Sequence, residues 1–192
     1  MSEVGRARGT GGHVALLRAV NVGGRNRIAM ADLRELLEAL GYGDVRTHLQ
    51  SGNAVFTIPA PAPTGAEEVE GEIERALAEE VGLTAKVLVR SRAELARAIA
   101  ANPLLEMADG DHSRLLVTFL SHEPDRDALA ELAPADFEPD VFAVGEREIY
   151  AWYPEGVRAT KLSNALLERR LGVVATARNW RTVTRLLGLM DE

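Results

Sequence analysis

The sequence predicts an α+β protein of two similar modules, and three observations lead to that prediction. Short apolar runs that are typical of strands alternate with longer segments in which leucine and valine recur at helical spacing. Turns that contain glycine join strand segments in neighbouring pairs. The order β-α-β-β-α-β results in residues 13–90 and starts again at residue 113. Hydrophobic residues make up 46% of the chain, which is sufficient for a proper core.

The first module is predicted over residues 13–90. An apolar strand leads into a Gly-rich loop, a leucine-striped helix ends at Gly41, and two strands meet across a tight Ser-Gly-Asn turn. An acidic amphipathic helix, whose glutamates are expected to be solvated, precedes the closing strand. The predicted segments are strands 13–19, 45–50, 54–58 and 85–89, with helices over about 33–40 and 69–81.

The second module is predicted over residues 113–192, after a connector at 91–112. Its strands are predicted at 115–120, 141–144, 148–152 and 173–176, with helices at 125–132 and 162–171 and an extra C-terminal helix at about 179–187. Both modules therefore have the split βαββαβ order of a ferredoxin-like fold. The tandem arrangement depends on element order alone, because we find no residue-level repeat. Residues 1–12 are expected to form a flexible tail.

Composition excludes several classes of protein. The chain has no cysteine, which excludes disulfides, thiolate metal sites and a cysteine nucleophile. No apolar run approaches the roughly 18 residues of a membrane span, and the N-terminal segment lacks the apolar core of a secretory signal. We therefore expect a cytoplasmic protein with no membrane partner. The histidines are scattered without metal-ligand spacing, so we expect no metal and no cofactor.

The net charge of −7 is distributed unevenly along the chain. Residues 1–30 carry +4 and residues 155–192 carry +3, which leaves −14 in residues 31–154. The basic termini either meet in one positive patch or merely flank acidic, solvated helices. The pI near 5.2 and the aromatic content of 5% are unfavourable for a dedicated nucleic-acid binder.

The loop after the first strand and the Ser-Gly-Asn turn form the first candidate site. A strand that leads through Gly23 and Gly24 into a helix can present backbone N–H groups to an anion, and arginines can add charge-assisted hydrogen bonds. The alternative is structural, since glycine supplies positive φ and asparagine bonds its own backbone in such turns. The candidate ligand residues are Arg18, Asn21, Gly23, Gly24, Asn26, Gln50, Ser51 and Asn53, with Arg25 and Arg27 adding charge.

Two polar segments near the C-terminus form the second candidate site. Arg178 and Arg181 lie near the start of the last predicted helix, where the helix dipole favours acids. Either an anionic partner or a carboxylate elsewhere in the fold is expected to balance them. Ser163 and the asparagines are equally suited to cap helices. The candidate residues are Lys161, Asn164, Arg178, Asn179 and Arg181.

Two groups of residues form spaced signatures. The first comprises Leu16–Gly24, Met30, Gln50–Asn53 and Phe56, and the second comprises Lys161–Asn164, Leu171-Gly172 and Thr176–Val183. In this order they resemble the bacterial family named domain of unknown function 1697. Ala19 departs from the glycine that is usual in the family, and His48 from a common tyrosine. The resemblance implies a ferredoxin-like arrangement and implies no activity.

One leading hypothesis and several alternatives follow. We expect a binding protein for a small anionic ligand, phosphate- or carboxylate-bearing, in a cleft between the two modules where both signatures converge. A nucleic-acid-associated module is one alternative, and a dimeric interaction module with purely structural polar motifs is another. No catalytic constellation is recognisable, although a hydrolase or transferase that uses Arg18 and His48 stays a further alternative.

Overall fold

The computed structural model describes residues 10–24, 26–61 and 65–192. The first part of the chain contains β1 (Thr10–Leu17), α1 (Met30–Ala39), β2 (Gly43–Thr47), β3 (Asn53–Ile58), α2 (Ala66–Glu80), β4 (Val87–Ser91) and α3 (Arg92–Ala100). The second part contains β5 (Leu115–Leu120), α4 (Arg126–Ala130), β6 (Val141–Val144), β7 (Glu148–Trp152), α5 (Asn164–Leu171), β8 (Ala175–Asn179) and α6 (Trp180–Asp191). Most of the predicted tail and Arg25 lie outside the described residues. Among those described, no helix has the length and apolar character that a membrane crossing requires.

The strands form two four-stranded antiparallel sheets, with the orders β2-β3-β1-β4 and β6-β7-β5-β8. The prediction of an α+β fold is therefore confirmed. The described residues up to Glu94, together with Leu186–Glu192, form one compact unit, and Leu95–Arg185 form the other. A helix follows the fourth strand of each sheet, and each of these helices, α3 and α6, is divided between the units. The limits of tail, modules and connector stay predictions.

In the first unit, α1 and α2 pack on one face of the sheet. Their apolar residues recur at three- and four-residue spacing, so that one stripe of each helix faces the strands. This core includes Leu33, Leu37, Ile73 and Leu77 from the helices and Ala15, Leu17, Phe56 and Val89 from the strands. Ion pairs of Arg92 with Asp191 (2.5 Å) and Arg46 with Glu192 (3.3 Å) join the end of α6 to this unit.

The second unit has its own core, in which α4 and α5 pack on the strands. Leu120, Ile149 and Ala175 of the strands are fully buried and belong to this core. Leu167 and Leu171, four residues apart on α5, cover them. Each unit thus buries apolar side chains at about 1.5–3 kcal/mol apiece, and each sheet has a helix-covered face.

The acidic face of α2 is not simply solvated, so that prediction is wrong. Glu74 accepts a hydrogen bond from the N–H of Val87 at 3.0 Å, and Glu70 accepts one from the N–H of Val89 at 2.7 Å. Four residues of helix advance by about 6 Å and two residues of strand by about 6.6 Å, so the two spacings match. Glu72 accepts from the hydroxyl of Tyr42. These contacts are tertiary and leave no local signal in the sequence.

We expect Glu70→Ala to lower the free energy of unfolding by about 2 kcal/mol, because the substitution removes a charged acceptor from a backbone N–H of β4. Glu67→Ala is the matched control on the exposed side of the same helix and is expected to change stability by less than about 0.5 kcal/mol. Urea denaturation of both variants measures the difference. Equal effects in the two variants would show that the bond from Val89 is not a source of stability.

Candidate functional site

The loop between β1 and α1 is braced by one asparagine. The N–H of Asn21 donates to the carbonyl of Asn26 at 2.9 Å. The side-chain amide of Asn21 donates to the carbonyl of Ile28 at 2.9 Å, and its Oδ1 accepts from the N–H of Ile28 at 3.0 Å. Within this loop Gly23 and Gly24 have φ of 61° and 76°, as the structural alternative expects of glycine. Asn21 therefore holds the loop in shape.

The turn between β2 and β3 is held by a second asparagine. Asn53 is fully buried, and its Nδ2 donates to the carbonyl of His48 at 2.8 Å and to Ser51 Oγ at 2.9 Å. Asn21 Nδ2 also donates to the carbonyl of Gln50 at 2.7 Å and so ties the loop to the turn. The structure therefore brings Asn21, Asn26, Gln50, Ser51 and Asn53 together through hydrogen bonds of the loop and the turn, and the side chain of Gln50 is exposed.

A pocket of about 220 Å³ opens beside this loop. Its lining residues are Arg18, Asn26, Glu74, Thr84, Ala85 and Lys86. The N–H of Arg18 donates to the carbonyl of Lys86 at 2.8 Å, because β4 lies antiparallel to β1 and starts where β1 ends. Lys86 Nζ lies 2.8 Å from Glu74 Oε2. The other oxygen of Glu74 accepts from the N–H of Val87, so both carboxylate oxygens are engaged and two cations face one acid.

The second unit provides an internal comparison for the two cations. The N–H of Ser121 donates to the carbonyl of Val174 at 2.9 Å, which is the counterpart of the bond from Arg18 to Lys86. Ser121 and Val174 therefore occupy the positions of the two cations in an equivalent strand pair. Of these two equivalent residue pairs, only the pair in the first unit consists of cations.

The carboxylate, in contrast, is common to both units. Glu168 of α5 accepts from the N–H of Ala175 at 3.0 Å, as Glu74 of α2 accepts from the N–H of Val87 at 3.0 Å. A helix-borne glutamate at the start of the fourth strand is therefore a feature of how each unit folds. Arg18 and Lys86 are additions to that common arrangement.

Arg178 lies on β8 and is buried. Arg178 is 7% exposed, and its Nη1 donates to Thr176 Oγ1 at 2.8 Å and to the carbonyl of Ala177 at 2.9 Å. Burial lowers the pKa of Arg178 to about 10. Arg90 of β4, 1% exposed, makes the equivalent bond to the carbonyl of Val89 at 2.9 Å. A buried arginine at the same place in both units indicates a structural role.

Asn179 fixes the start of α6. Its Nδ2 donates to the carbonyls of His112 and Ser113 at 3.1 Å and 2.9 Å, and its Oδ1 accepts from the N–H of Arg181 at 3.0 Å. The side chain of Arg181 is exposed. Hydrogen bonds from Ser113, with a smaller contribution from Arg181, lower the pKa of Asp111. Whether a carboxylate of the fold or an anionic partner balances Arg181 stays a prediction.

The remaining residues of the second signature lie at the start of α5. This helix begins at Asn164, and Ser163 caps it by accepting from the N–H of Leu166 at 3.2 Å. Lys161 is exposed. The second signature belongs to the second unit and the first signature to the first unit, so a cleft shared by both stays a prediction.

Sequence reasoning missed Glu74, Thr84 and Lys86 in the pocket. The β-α-β-β-α-β order contains the signal for Lys86, since a fourth strand that lies beside the first brings its start to the end of the first strand. Glu74 was assigned to a solvated helix face. In the described parts of the chain, no three acidic or histidine side chains come together as a metal site would require.

Comparison with known proteins places this arrangement in context. A sequence profile described as "Protein of unknown function (DUF1697)" matches residues 11–150. The fold resembles that of a solved structure, conserved bacterial protein SP0830 from Streptococcus pneumoniae, with a TM-score of 0.71 and 23% sequence identity. The match covers 93% of this chain and 98% of that chain. No curated protein sequence matches. At this identity the likeness shows the fold alone.

Proposed function

The chain belongs to the DUF1697 family of proteins of unknown function, and on its own geometry we propose that it binds a small anionic ligand through Arg18 and Lys86. The observation that carries the proposal is the pairing of these two cations at adjacent strand ends around one pocket. The only acid that lines it, among the described residues, is Glu74, so the lining carries two positive charges and one negative charge. An anion is therefore the ligand that this electrostatic arrangement favours.

The internal comparison supports a role for the cations beyond folding. An equivalent strand pair in the second unit is formed with Ser121 and Val174 at the corresponding positions. Because the fold is achieved there without the two charges, their presence around a pocket in the first unit fits a binding role. Comparison of the two units thus distinguishes residues that the fold requires from residues that are available for binding.

The size of the pocket supports a small ligand. Its volume of about 220 Å³ lies below the range of about 300–1,000 Å³ that is usual for drug-sized ligands. Asn26 and Thr84 are exposed at the pocket and add neutral hydrogen-bonding groups. A phosphate or carboxylate group with a few hydroxyls fits this combination of two cations and two neutral polar side chains.

We also infer that each unit is a ferredoxin-like module. Each sheet takes its strands from one run of β-α-β-β-α-β, and each places its first strand between its third and its fourth. Neighbouring strands are antiparallel throughout. These features support the split-βαβ arrangement.

Titration calorimetry with inorganic phosphate, citrate, sugar phosphates and nucleotides tests the proposed function. We expect at least one probe to bind, and Arg18→Met to weaken that binding by about tenfold or more, since one charge-assisted contact is worth about 1.5–3 kcal/mol. Arg18→Lys, which keeps the charge, is expected to retain most of the affinity. Thermal unfolding gives a second readout, because a ligand at 100 times its Kd stabilises by about 2.7 kcal/mol.

Arg34→Met is the matched control for charge. Arg34 is an exposed arginine on α1 that pairs with Glu38 at 3.7 Å, away from the residues that line the pocket. Its loss removes the same charge and is expected to leave the affinity within about twofold. Absence of binding by every probe, or equal weakening by Arg18→Met and Arg34→Met, contradicts the proposed site.

A further inference from the structure

The sheet edge at β4 is protected against an added strand. Edge strands carry unpaired N–H and C=O groups that another chain can pair with, and proteins commonly block them. The N–H groups of Val87, Val89 and Ser91 donate to Glu74, Glu70 and Glu94 at 3.0, 2.7 and 2.8 Å respectively. The N–H groups of these alternate residues point away from β1. The residues between them pair with β1, as the bond from the N–H of Arg18 to the carbonyl of Lys86 shows. Carboxylates therefore occupy the outward donors of β4.

Two other edges are interrupted by different means. On β8 the N–H of Ala175 donates to Glu168 at 3.0 Å. On β2 the register with β3 shifts between Gly43 and Arg46, and Asp44 within this irregularity has φ of 50°. A bulge of this kind turns an edge out of line with any strand that approaches it.

The edge at β6 lacks these devices. Its register with β7 is regular from Val141 to Val144. The N–H of Gly145 donates to the carbonyl of Glu148 at 2.7 Å, and inward and outward residues alternate in an antiparallel pair. The N–H and C=O groups of Phe142 and Val144 therefore point away from β7. Throughout the described ranges, no residue of the chain bonds these outward groups.

The composition of β6 also suits pairing. The strand reads Val-Phe-Ala-Val over residues 141–144, without the charge, proline or glycine that commonly blocks an edge. Val144 is 42% exposed. We propose that β6 pairs antiparallel with β6 of a second copy of this chain about a two-fold axis, so that the sheet of each copy continues into the other.

A two-fold arrangement satisfies all of the outward groups at once. With Ala143 of both copies on the axis, Phe142 lies opposite Val144 of the second copy, and the reverse pair forms on the other side. Both are hydrogen-bonded pairs, in which each residue uses its N–H and its C=O. The small Ala143 faces its counterpart in the closer, non-bonded pair, and an aromatic residue opposite a β-branched one is a favourable combination. This self-complementarity selects a second copy over an unrelated strand.

The same register places the acids that flank the strand opposite each other, the exposed Glu146 of one copy and, in the other copy, Asp140, which is only 8% exposed. A segment of 4 residues per copy also buries less than the roughly 1,600 Å² of a standard interface. The dimer is therefore reversible.

Sedimentation equilibrium on the full chain, up to about 300 μM, tests the pairing. Val144→Pro removes an outward N–H and opposes the new pair without removing a bond to β7. We expect the average mass of the wild type to rise towards that of a dimer as its concentration increases. The variant is expected to associate at least about tenfold more weakly, with little change in Tm. A wild type that stays monomeric, or a variant that dimerises like the wild type, overturns the proposal.

Glu146→Lys tests the same register without a risk to the fold. Glu146 is exposed in the β6–β7 turn, and the register places a lysine there opposite the position of Asp140 in the second copy. We expect the dissociation constant to fall by about threefold or more. Glu155→Lys makes the same change in net charge at an exposed position outside the paired segment and controls for general repulsion. Equal effects of the two substitutions contradict the β6 register.

Discussion

Gly52→Ala is expected to lower the free energy of unfolding by about 3 kcal/mol, although it adds only one methyl group. Gly52 has φ of 76°, where a side chain is strained. Its added Cβ would also lie 2.8 Å from Leu17 Cβ and closer still to Val20 Cγ2, both of which belong to buried residues. Strain and overpacking therefore add, and urea denaturation measures their sum.

Gly71→Ala is the matched control, and its expected effect has the opposite sign. Gly71 lies inside α2 with open space around the position of a Cβ, so alanine there should stabilise by about 0.5–1 kcal/mol through helix propensity. If Gly52→Ala proves as harmless as Gly71→Ala, the turn between β2 and β3 is not packed against β1 in the way described.

Asn53→Ala is expected to lower the free energy of unfolding by about 3 kcal/mol as well. The substitution removes two hydrogen bonds from a fully buried side chain, to the carbonyl of His48 and to Ser51 Oγ. Because Asn21 binds the carbonyl of Gln50 within the same turn, a loosened turn also loosens the loop beside the pocket. We therefore expect the affinity for any anion to fall together with stability.

Asn164→Ala controls for the loss of an asparagine. Asn164 is the half-buried first residue of α5, and we expect its replacement to change stability by less than about 0.5 kcal/mol. Chemical denaturation and calorimetry on both variants measure the two effects. A stable Asn53→Ala variant with unchanged anion affinity would show that the turn neither supports the fold nor positions the loop.

Local chemistry was predictable from the sequence because its signals are short in range. The structural alternative for Gly23 and Gly24 expected positive φ, and both have it. Asn179 was interpreted as a cap, and its Oδ1 accepts the N–H of Arg181 at the start of α6. These features depend on residues within a few positions of one another, so propensity and spacing are sufficient to find them.

Long-range pairing explains what the sequence did not reveal. Glu70 and Glu74 look like any solvated acidic face until β4 is placed beside α2. The repeat between the units is likewise visible in matching bonds, such as those of Arg90 and Arg178 to the carbonyl of the preceding residue. The residues around these two arginines differ, so comparison of the sequences alone had little to detect.

The same difference between short-range and long-range signals applies to the candidate site. Arg18 was predicted because it stands at the end of an apolar strand next to a glycine-rich loop. Lys86 was missed because it reaches Arg18 only through the pairing of the first strand with the fourth. Arg178 attracted attention as a charge near a helix start, although it is buried and bonds the carbonyl of Ala177 beside it.

An NMR titration of the ¹⁵N-labelled chain with inorganic phosphate, followed by a sugar phosphate, tests the central claim most directly. The account predicts saturable shifts of backbone amides that are confined to the loop around Arg18 and Asn26 and to the segment around Thr84 and Lys86. Arg18→Met should raise the concentration at which these shifts saturate by about tenfold or more, and the spectrum should remain that of a folded protein. Saturable shifts that fall elsewhere, or no saturable shift with any anionic probe, would contradict an anion site in this pocket.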